Sequence, residues 1–220
     1  SYHINRTGIT ITGLKYDLDY KISPNFGLDI PMEQISKGNG ESCVLSTYSS
    51  SVINLSNHLT TSLGITAQYF TLNKNWTVEP RAALKWTFNP KHALALAYGL
   101  HSRRERLDYY FVEQEVNGKT ESNRYLNFSK AHHFGLTYDW NINSYMHLKV
   151  EPYYQYLFRI PVEENSSFSI INHQSFYLER ILKNRGSGVN YGIDITLEQY
   201  MKNGFYYMIT ASLFKSRYKA

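Results

Sequence analysis

The sequence predicts an all-β fold, an antiparallel up-and-down meander of about ten long strands. Three observations lead to this class: polar and apolar residues alternate along most of the chain, the alternating segments are long, and the connections between them differ in length in a regular way. Alternation with a period of two indicates strands, because successive side chains point to opposite faces of a sheet. We find no apolar stripe with the 3.6-residue period of a helix.

The stretch from 146 to 158, MHLKVEPYYQYLF, shows the alternation most clearly. One set of alternate residues is Met, Leu, Val, Pro, Tyr, Tyr and Phe, and the other is His, Lys, Glu, Tyr, Gln and Leu. The stretch has 13 residues, whereas an ordinary strand has about 5 or 6 and a tilted barrel strand that crosses a bilayer needs about 9 to 11. Its length favours a transmembrane strand. Pro152 cannot donate a ladder hydrogen bond, so we expect a bulge or a locally unpaired position there.

Nine further segments complete the predicted meander. The clearer ones are 59–69, 76–88, 93–100, 132–140, 189–198 and 205–213, and the weaker ones are 8–22, 26–32 and 44–56. Short turns are predicted near 57, 89–91, 141–144 and 201–204, and long polar links at 31–43, 105–128 and 161–187. Only the short link at 72–75 breaks this order. Short turns on one side and long loops on the other are typical of bacterial outer-membrane barrels.

Aromatic residues occupy the ends of several predicted strands, on the apolar face. Rings at these positions are typical of the interfacial girdles of membrane proteins, although they can also cap the core of an ordinary sandwich. The residues are Trp76, Trp86, Phe88, Trp140, Tyr200 and Phe205.

Hairpin register assigns the two faces. We predict the pairs Trp140–Met146, Tyr138–Leu148, Leu136–Val150 and Phe134–Pro152, and the pairs Trp86–Leu94, Leu84–Leu96 and Ala82–Tyr98, because these registers place apolar residues opposite one another. In a membrane barrel this face meets lipid and the other face lines a watery lumen. The predicted lumen-facing residues are Glu79, Arg81, Lys85, Asp139, His147, Lys149, Glu151, Asp194 and Glu198.

The composition limits the alternatives. The 220 residues include 20 Tyr, 11 Phe and 3 Trp, and no apolar run is long enough for a transmembrane helix. The formal charge is +5, but the basic residues are scattered among acidic ones, so we expect no nucleic-acid partner. The single cysteine, Cys43, excludes an internal disulfide framework and a cysteine-rich zinc site. Without a visible signal peptide, and with strand pattern running to the last residue, we expect a piece of a larger protein.

Three stretches carry a family resemblance. They are VEPRAALKWTFNPKHALALAYGLHSRRERLDYYF at 78–111, KAHHFGLTYDWNINSYMHLKVEPYYQYLFRIPVE at 130–163 and GVNYGIDITLE from Gly188. The chain resembles the C-terminal barrel portion of TonB-dependent outer-membrane receptors, in particular the Bacteroidetes type with a carboxypeptidase-regulatory-like N-terminal region. The resemblance covers 45–220 well and 1–44 loosely.

The resemblance implies a function in transport. It implies that 1–220 is a partial β-barrel domain, without the plug domain and the remaining strands, located in the bacterial outer membrane. The whole receptor would import a scarce nutrient, which could be a siderophore, haem, a glycan or a peptide. Its partners would be outer-membrane lipid, its own plug domain, the TonB complex and the nutrient.

Catalytic and metal chemistry find little support in the residues. His132 and His133 are neighbours in a strand and point to opposite faces, so they cannot ligate one ion. Asp139 with His147 lacks a placed serine, and Glu151 with Glu198 lacks a cleft motif. We therefore expect no enzyme, no metal and no cofactor, and predict the ligand-facing surface in loops 102–128 and 161–187. The alternatives are a secreted β-sandwich that binds glycans or acts as an adhesin, and an outer-membrane enzyme barrel.

Overall fold

A computed structural model describes residues 2–23, 31–116, 118–164, 166–173 and 177–219. The strands are β1 His3–Ile22, β2 Glu33–Asn54, β3 Leu59–Phe70, β4 Asn75–Asn89, β5 His92–Arg103, β6 Glu113–Val116, β7 Lys119–Ser122, β8 Ser129–Asn143, β9 Met146–Val162, β10 Lys183–Lys202 and β11 Phe205–Lys219. Short 3₁₀ turns lie at Leu107–Phe111, Asn123–Tyr125 and Ile170–Asn172. Within the described ranges, no helix is long and apolar enough to cross a membrane.

The main sheet confirms the predicted antiparallel meander. Nine strands form one sheet in the order β1-β2-β3-β4-β5-β8-β9-β10-β11, and β6 and β7 form a separate two-stranded hairpin. Every main-sheet strand pairs antiparallel with its neighbours in this order. The predicted short turns are present, and the link at 72–75 is short as expected, with Lys74 at φ 59°.

The predicted polar link at 31–43 is wrong, because β2 already begins at Glu33. Strands β1 and β2 continue as one long hairpin up to the pair Ile22–Glu33. The glycines in this stretch suggested a loop, yet Gly38 is needed for packing, since a Cβ there would overlap the ring of Phe111. Of the predicted strand 26–32, residues 26–30 lie outside the described residues.

The two predicted hairpin registers have different outcomes. In β4–β5 the pairs Trp86–Leu94 and Leu84–Leu96 are confirmed. In β8–β9 the prediction is wrong by two residues, since Tyr138 pairs with Val150. The turn is tighter than expected: the register shifts next to Asn143, whose side chain accepts a hydrogen bond from the Tyr145 N–H at 3.0 Å. A shift of two residues preserves both faces, because side chains alternate with a period of two.

The expected interruption of the hydrogen-bond ladder at Pro152 is confirmed. This proline pairs with Ile193 on the β10 side, but towards β8 the pairing stops between Gly135–Tyr153 and Tyr138–Val150 without any shift of register. Proline has no N–H to donate, so the sheet tolerates the residue as a local gap instead of a bulge.

Buried apolar residues concentrate at one end of the sheet, where the long links pack against the β1–β2 hairpin. The middle of the apolar face stays uncovered, with Ile65 and Leu96 about half exposed. A β-sandwich would cover this face with a second sheet. Apart from the β6–β7 hairpin, the part of the chain that the structure describes contains no other sheet, so the architecture favours a barrel wall.

Candidate functional site

One face of the main sheet carries all nine predicted lumen residues. We call this face the inner wall and define it by a row of directly paired residues from β2 to β10: Ser50, Gly64, Arg81, Gly99, His133, Gln155 and Asn190. Directly opposed residues in a ladder share a face, and so do residues an even number apart in a strand. By this rule the inner wall includes Glu79, Arg81, Lys85, Asp139, His147, Lys149, Glu151, Asp194 and Glu198.

An open groove of about 710 Å³ runs across the inner wall. Its floor consists of small residues: Ser62, Gly64, Ala83, Ala97, Gly99 and Gly135. Its polar and aromatic margin includes Tyr48, Arg81, His101, His133, Tyr153 and Gln155. The predicted site residues include only Arg81 from this groove. A signal for the groove is present in the sequence: alanine and glycine occupy successive positions on the polar face of β5, so this part of the face carries only small side chains.

Two histidines lie side by side in the groove. The rings of His101 and His133 are 4.5 Å apart between centroids. Gly99 makes room for this arrangement, because a Cβ there would come within 2.7 Å of Nε2 of His101. His132 lies on the opposite face and stacks on Phe158 at 5.0 Å, as the alternation predicts. The described residues contain no cluster of three or more metal-ligating side chains.

Glu79 is almost fully buried on the inner wall and forms an ion pair with Arg81. The Glu79 side chain is 3 % exposed, and its Oε2 lies 3.0 Å from Nη2 of Arg81. Its other oxygen accepts a hydrogen bond from Gln68 Nε2 at 2.9 Å. Burying a carboxylate without such partners would be unfavourable. The pair therefore holds the half-exposed guanidinium of Arg81 at the edge of the groove.

The inner wall is predominantly acidic towards the short-turn end. Asp139 lies 3.1 Å from Nε2 of His147, and Glu151 lies 2.7 Å from Nζ of Lys149. Asp194 is directly opposite Glu151 in the β9–β10 ladder, which places two carboxylates side by side. No ion pair within 4.0 Å involves Lys85, Asp194 or Glu198 among the described residues. These three groups are available to a partner.

The long links form an ordered structure at the other end, which we call the external cap: residues 104–128 and 163–182, as far as they are described. The cap was predicted as polar loops, but it contains a buried apolar cluster that includes Tyr110, Phe111, Leu178 and Leu182. The aromatic run at 107–112 was the sequence signal for this core. Burial raises the pKa of Tyr110 to about 12, and its hydroxyl oxygen accepts a hydrogen bond from the Glu105 N–H at 3.1 Å.

Asn123 joins the two halves of the cap. It is 1 % exposed, its amide donates to the Arg180 carbonyl at 2.9 Å, and its carbonyl accepts from the Leu182 N–H at 2.7 Å. A second amide, Asn184, bonds the backbone of Asn127 in both directions, at 2.7 and 3.2 Å. The cap is thus fastened to the strands by hydrogen bonds as well as by packing.

An open, basic cavity of about 510 Å³ lies against the cap. Arg103, Arg104, Arg106 and Tyr109 line it together with Glu105 and Ile170. The Arg106 guanidinium lies 5.1 Å from the centroid of the Tyr109 ring and also pairs with Asp108 at 3.0 Å. Glu105 is buried and accepts a hydrogen bond from Ser129. Its Oε2 also lies 3.5 Å from Nη2 of Arg103, whose side chain is 76 % exposed. The cavity therefore offers guanidinium groups next to an aromatic ring.

Together these features are typical of the wall of a β-barrel. The strands are long, one face is apolar and uncovered, the other is charged, short turns lie at one end and ordered long loops at the other. No protein-family model matches the sequence, and no curated protein sequence matches it at a significant level. Solved structures, in contrast, match along almost the whole chain.

Several of the similar structures are those of transporters or receptors. The siderophore receptor PirA from Pseudomonas aeruginosa is 9 % identical, with a TM-score of 0.71 over 98 % of this chain and 40 % of that one. The outer membrane transporter YddB from Escherichia coli is 14 % identical, with a TM-score of 0.65 over 98 % and 30 %. The RagAB peptide importer is 12 % identical, with a TM-score of 0.60 over 98 % and 30 %.

These similarities confirm the fold that the resemblance predicts. Identities this low show the architecture alone, and the chain spans less than half of each matched chain.

Proposed function

We propose that this chain is part of the barrel of a TonB-dependent outer-membrane receptor that imports a scarce nutrient. The observation that carries the proposal is the combination of an uncovered apolar face with a charged, grooved inner wall on one continuous sheet. This combination suits a wall between lipid and a watery lumen, and the similar structures are transporters and receptors. They are not enzymes. The bacterial outer membrane is the corresponding location.

The nine charged residues face the lumen in this proposal. The full-length protein would place its plug domain against them. Asp194 and Glu198, which have no ion pair among the described residues, would then meet basic groups of the plug. The small residues on the floor of the groove let another surface approach the backbone closely. Lys85, which also lacks an ion pair among the described residues, would meet an acidic group.

The cap would meet the nutrient first, because it lies at the end opposite the short periplasmic turns. Its arginine-lined cavity favours an anionic ligand, since guanidinium groups bind carboxylates and phenolates with charge-assisted hydrogen bonds. Among the nutrient classes that the resemblance implies, an iron-charged siderophore or haem carries such groups. A neutral glycan would make less use of Arg103 and Arg104.

The test uses the full-length protein in the bacterium that encodes it. Cells with and without the gene would be supplied with single sources of ferric siderophore, haem, oligosaccharide or peptide, and uptake would be measured with and without an uncoupler. We expect energy-dependent uptake of one source to disappear with the gene, and Arg103→Ala with Arg104→Ala to raise the half-saturating concentration several-fold. Unchanged uptake of all four sources, or a protein soluble in the periplasm, would contradict the proposal.

A further inference from the structure

Two histidines of the inner wall, His101 and His133, approach each other across neighbouring strands, and we call them the histidine pair. His133 is paired directly with Gly99, and His101 lies two residues along β5 on the same face. The missing Cβ of Gly99 leaves room for the His101 ring to lean back over this glycine, because a Cβ there would come within 2.7 Å of Nε2. The two ring centroids are therefore only 4.5 Å apart, with 53° between the ring planes.

The ring nitrogens of the histidine pair have no hydrogen-bond partner among the residues that the structure describes. By contrast, His132 and His147 each contact a side-chain oxygen, at 3.0 and 3.1 Å. Both members of the pair line the open groove of about 710 Å³. Their nitrogens are therefore free to bind a ligand from the groove.

The row of residues that contains the pair carries little net charge. Arg81 lies directly opposite Gly99 in β4, but Glu79 holds its guanidinium in an ion pair at 3.0 Å. On the other side, Gln155 is paired directly with His133 and contributes a neutral amide. A cation at the histidine pair therefore meets an arginine whose charge is already balanced.

Two neutral imidazoles on adjacent strands can chelate a transition-metal ion. Zinc binds imidazole nitrogen at about 2.0–2.1 Å, so two nitrogens on one ion at a tetrahedral angle are roughly 3.3 Å apart. Rings whose centroids are 4.5 Å apart reach this separation by rotation about the last side-chain torsion, which is soft in histidine. Imidazole suits zinc, copper and nickel, whereas magnesium and calcium prefer oxygen ligands.

We propose that His101 and His133 form a binding site for a divalent transition-metal ion, such as Zn²⁺, in the groove of the inner wall. Each histidine supplies one nitrogen, and the open groove leaves the other coordination positions to water or to a bound molecule. His132 takes no part, because it lies on the opposite face of the sheet. The inference goes beyond the proposed transport, since the wall binds the ion whichever nutrient is carried.

The test maps histidine modification in the purified full-length protein in membrane discs. Diethyl pyrocarbonate labels accessible imidazoles, and fragmentation of the peptides by mass spectrometry measures each histidine separately. Zn²⁺ is expected to lower the labelling of His101 and of His133 at least fivefold, while the labelling of His132 stays within twofold. Mg²⁺ and inorganic phosphate, in separate samples, should have no effect. Equal labelling of the pair with and without Zn²⁺, or protection by phosphate alone, would overturn the proposal.

Two substitutions test whether one ion holds both histidines. In His101→Asn, the protection of His133 by Zn²⁺ should fall at least fivefold, because a single imidazole binds the ion weakly. Gly99→Ala should have the same effect with both histidines retained, since its Cβ would displace the His101 ring. The matched control is Gly135→Ala, also on the floor of the groove, where a Cβ would meet nothing within 4 Å; it should keep the protection.

Heat-modifiable migration shows which variants have folded. Protection of His133 that persists in folded His101→Asn, or in folded Gly99→Ala, contradicts the site. Failure of this inference is distinguishable from failure of the proposed function, because labelling is measured without transport. A protein that takes up a nutrient but shows no protection by Zn²⁺ lacks only the metal site, whereas one that is absent from the outer membrane lacks the proposed function.

Discussion

Replacing Asn123 by alanine should open the external cap without unfolding the barrel. The substitution removes two hydrogen bonds, to the Arg180 carbonyl and from the Leu182 N–H, in a place where Asn123 is 1 % exposed. Each buried backbone group left without a partner costs about 1–3 kcal/mol. Some relaxation is expected, so we estimate about 2–4 kcal/mol for the pair.

The assay is hydrogen exchange of the full-length protein in membrane discs. Each 1.4 kcal/mol changes an equilibrium about tenfold, so amides of residues 178–182 should exchange about 30- to 700-fold faster in Asn123→Ala. Amides in the middle of β4 and β5 should not change. The matched control is Asn141→Ala, which removes an exposed bond to the Pro90 carbonyl at 3.3 Å and should leave the cap unaffected. Exchange within threefold of the unaltered protein would refute the reasoning.

Three further predictions concern the two faces and the cap. Leu96→Arg, on the uncovered face, should lower the free energy of unfolding of the barrel by about 2–4 kcal/mol. Ala97→Arg, on the inner wall, should lower it much less. Urea unfolding measures both variants, and equal losses would contradict the face assignment. Gly99→Val should reduce nutrient uptake at least tenfold, because the added side chain fills the groove. Gly13→Val should leave uptake unchanged, since a Cβ there would meet nothing within 4 Å. Unchanged uptake by Gly99→Val would show that the groove is not used. The pKa of Tyr110 is raised to about 12, so its contribution to cap stability is complete below pH about 10 and is lost as the pH rises through about 12. Hydrogen exchange should therefore show that the cap opens between these pH values. Tyr110→Phe should remove this pH dependence, and a dependence that persists in this variant would contradict the role of the phenol.

The alternation of side chains predicted which face each residue occupies, but it predicted the partners correctly only in β4–β5 and not in β8–β9. The prediction for β8–β9 had the correct faces and the wrong partners, because Asn143 forms a tighter turn than the pattern suggested. Face assignment depends on a period of two within one strand. Partner assignment depends on the type and length of the turn, which the alternation does not reveal.

The cap and the β1–β2 hairpin show a second limit. Glycines and polar residues at 31–43 were interpreted as a loop, yet Gly38 belongs to a strand that receives the ring of Phe111. The residue that requires a glycine at this position, Phe111, lies in a different part of the chain. Likewise, nothing near Asn123 predicts its bonds to Arg180 and Leu182, which are 57 and 59 residues away.

By itself the sequence determined the class of fold, the two faces and the interruption at Pro152, and it indicated that the strands are long. These properties are local, because the pleat of a strand and the missing N–H of proline act on immediate neighbours. Only the tertiary structure decided that His101 lies against His133, that the cap has a buried core, and that Asn5 bonds Ser51. Such contacts join strands and loops far apart in sequence, and they form only when the strands pair and the links pack onto the sheet.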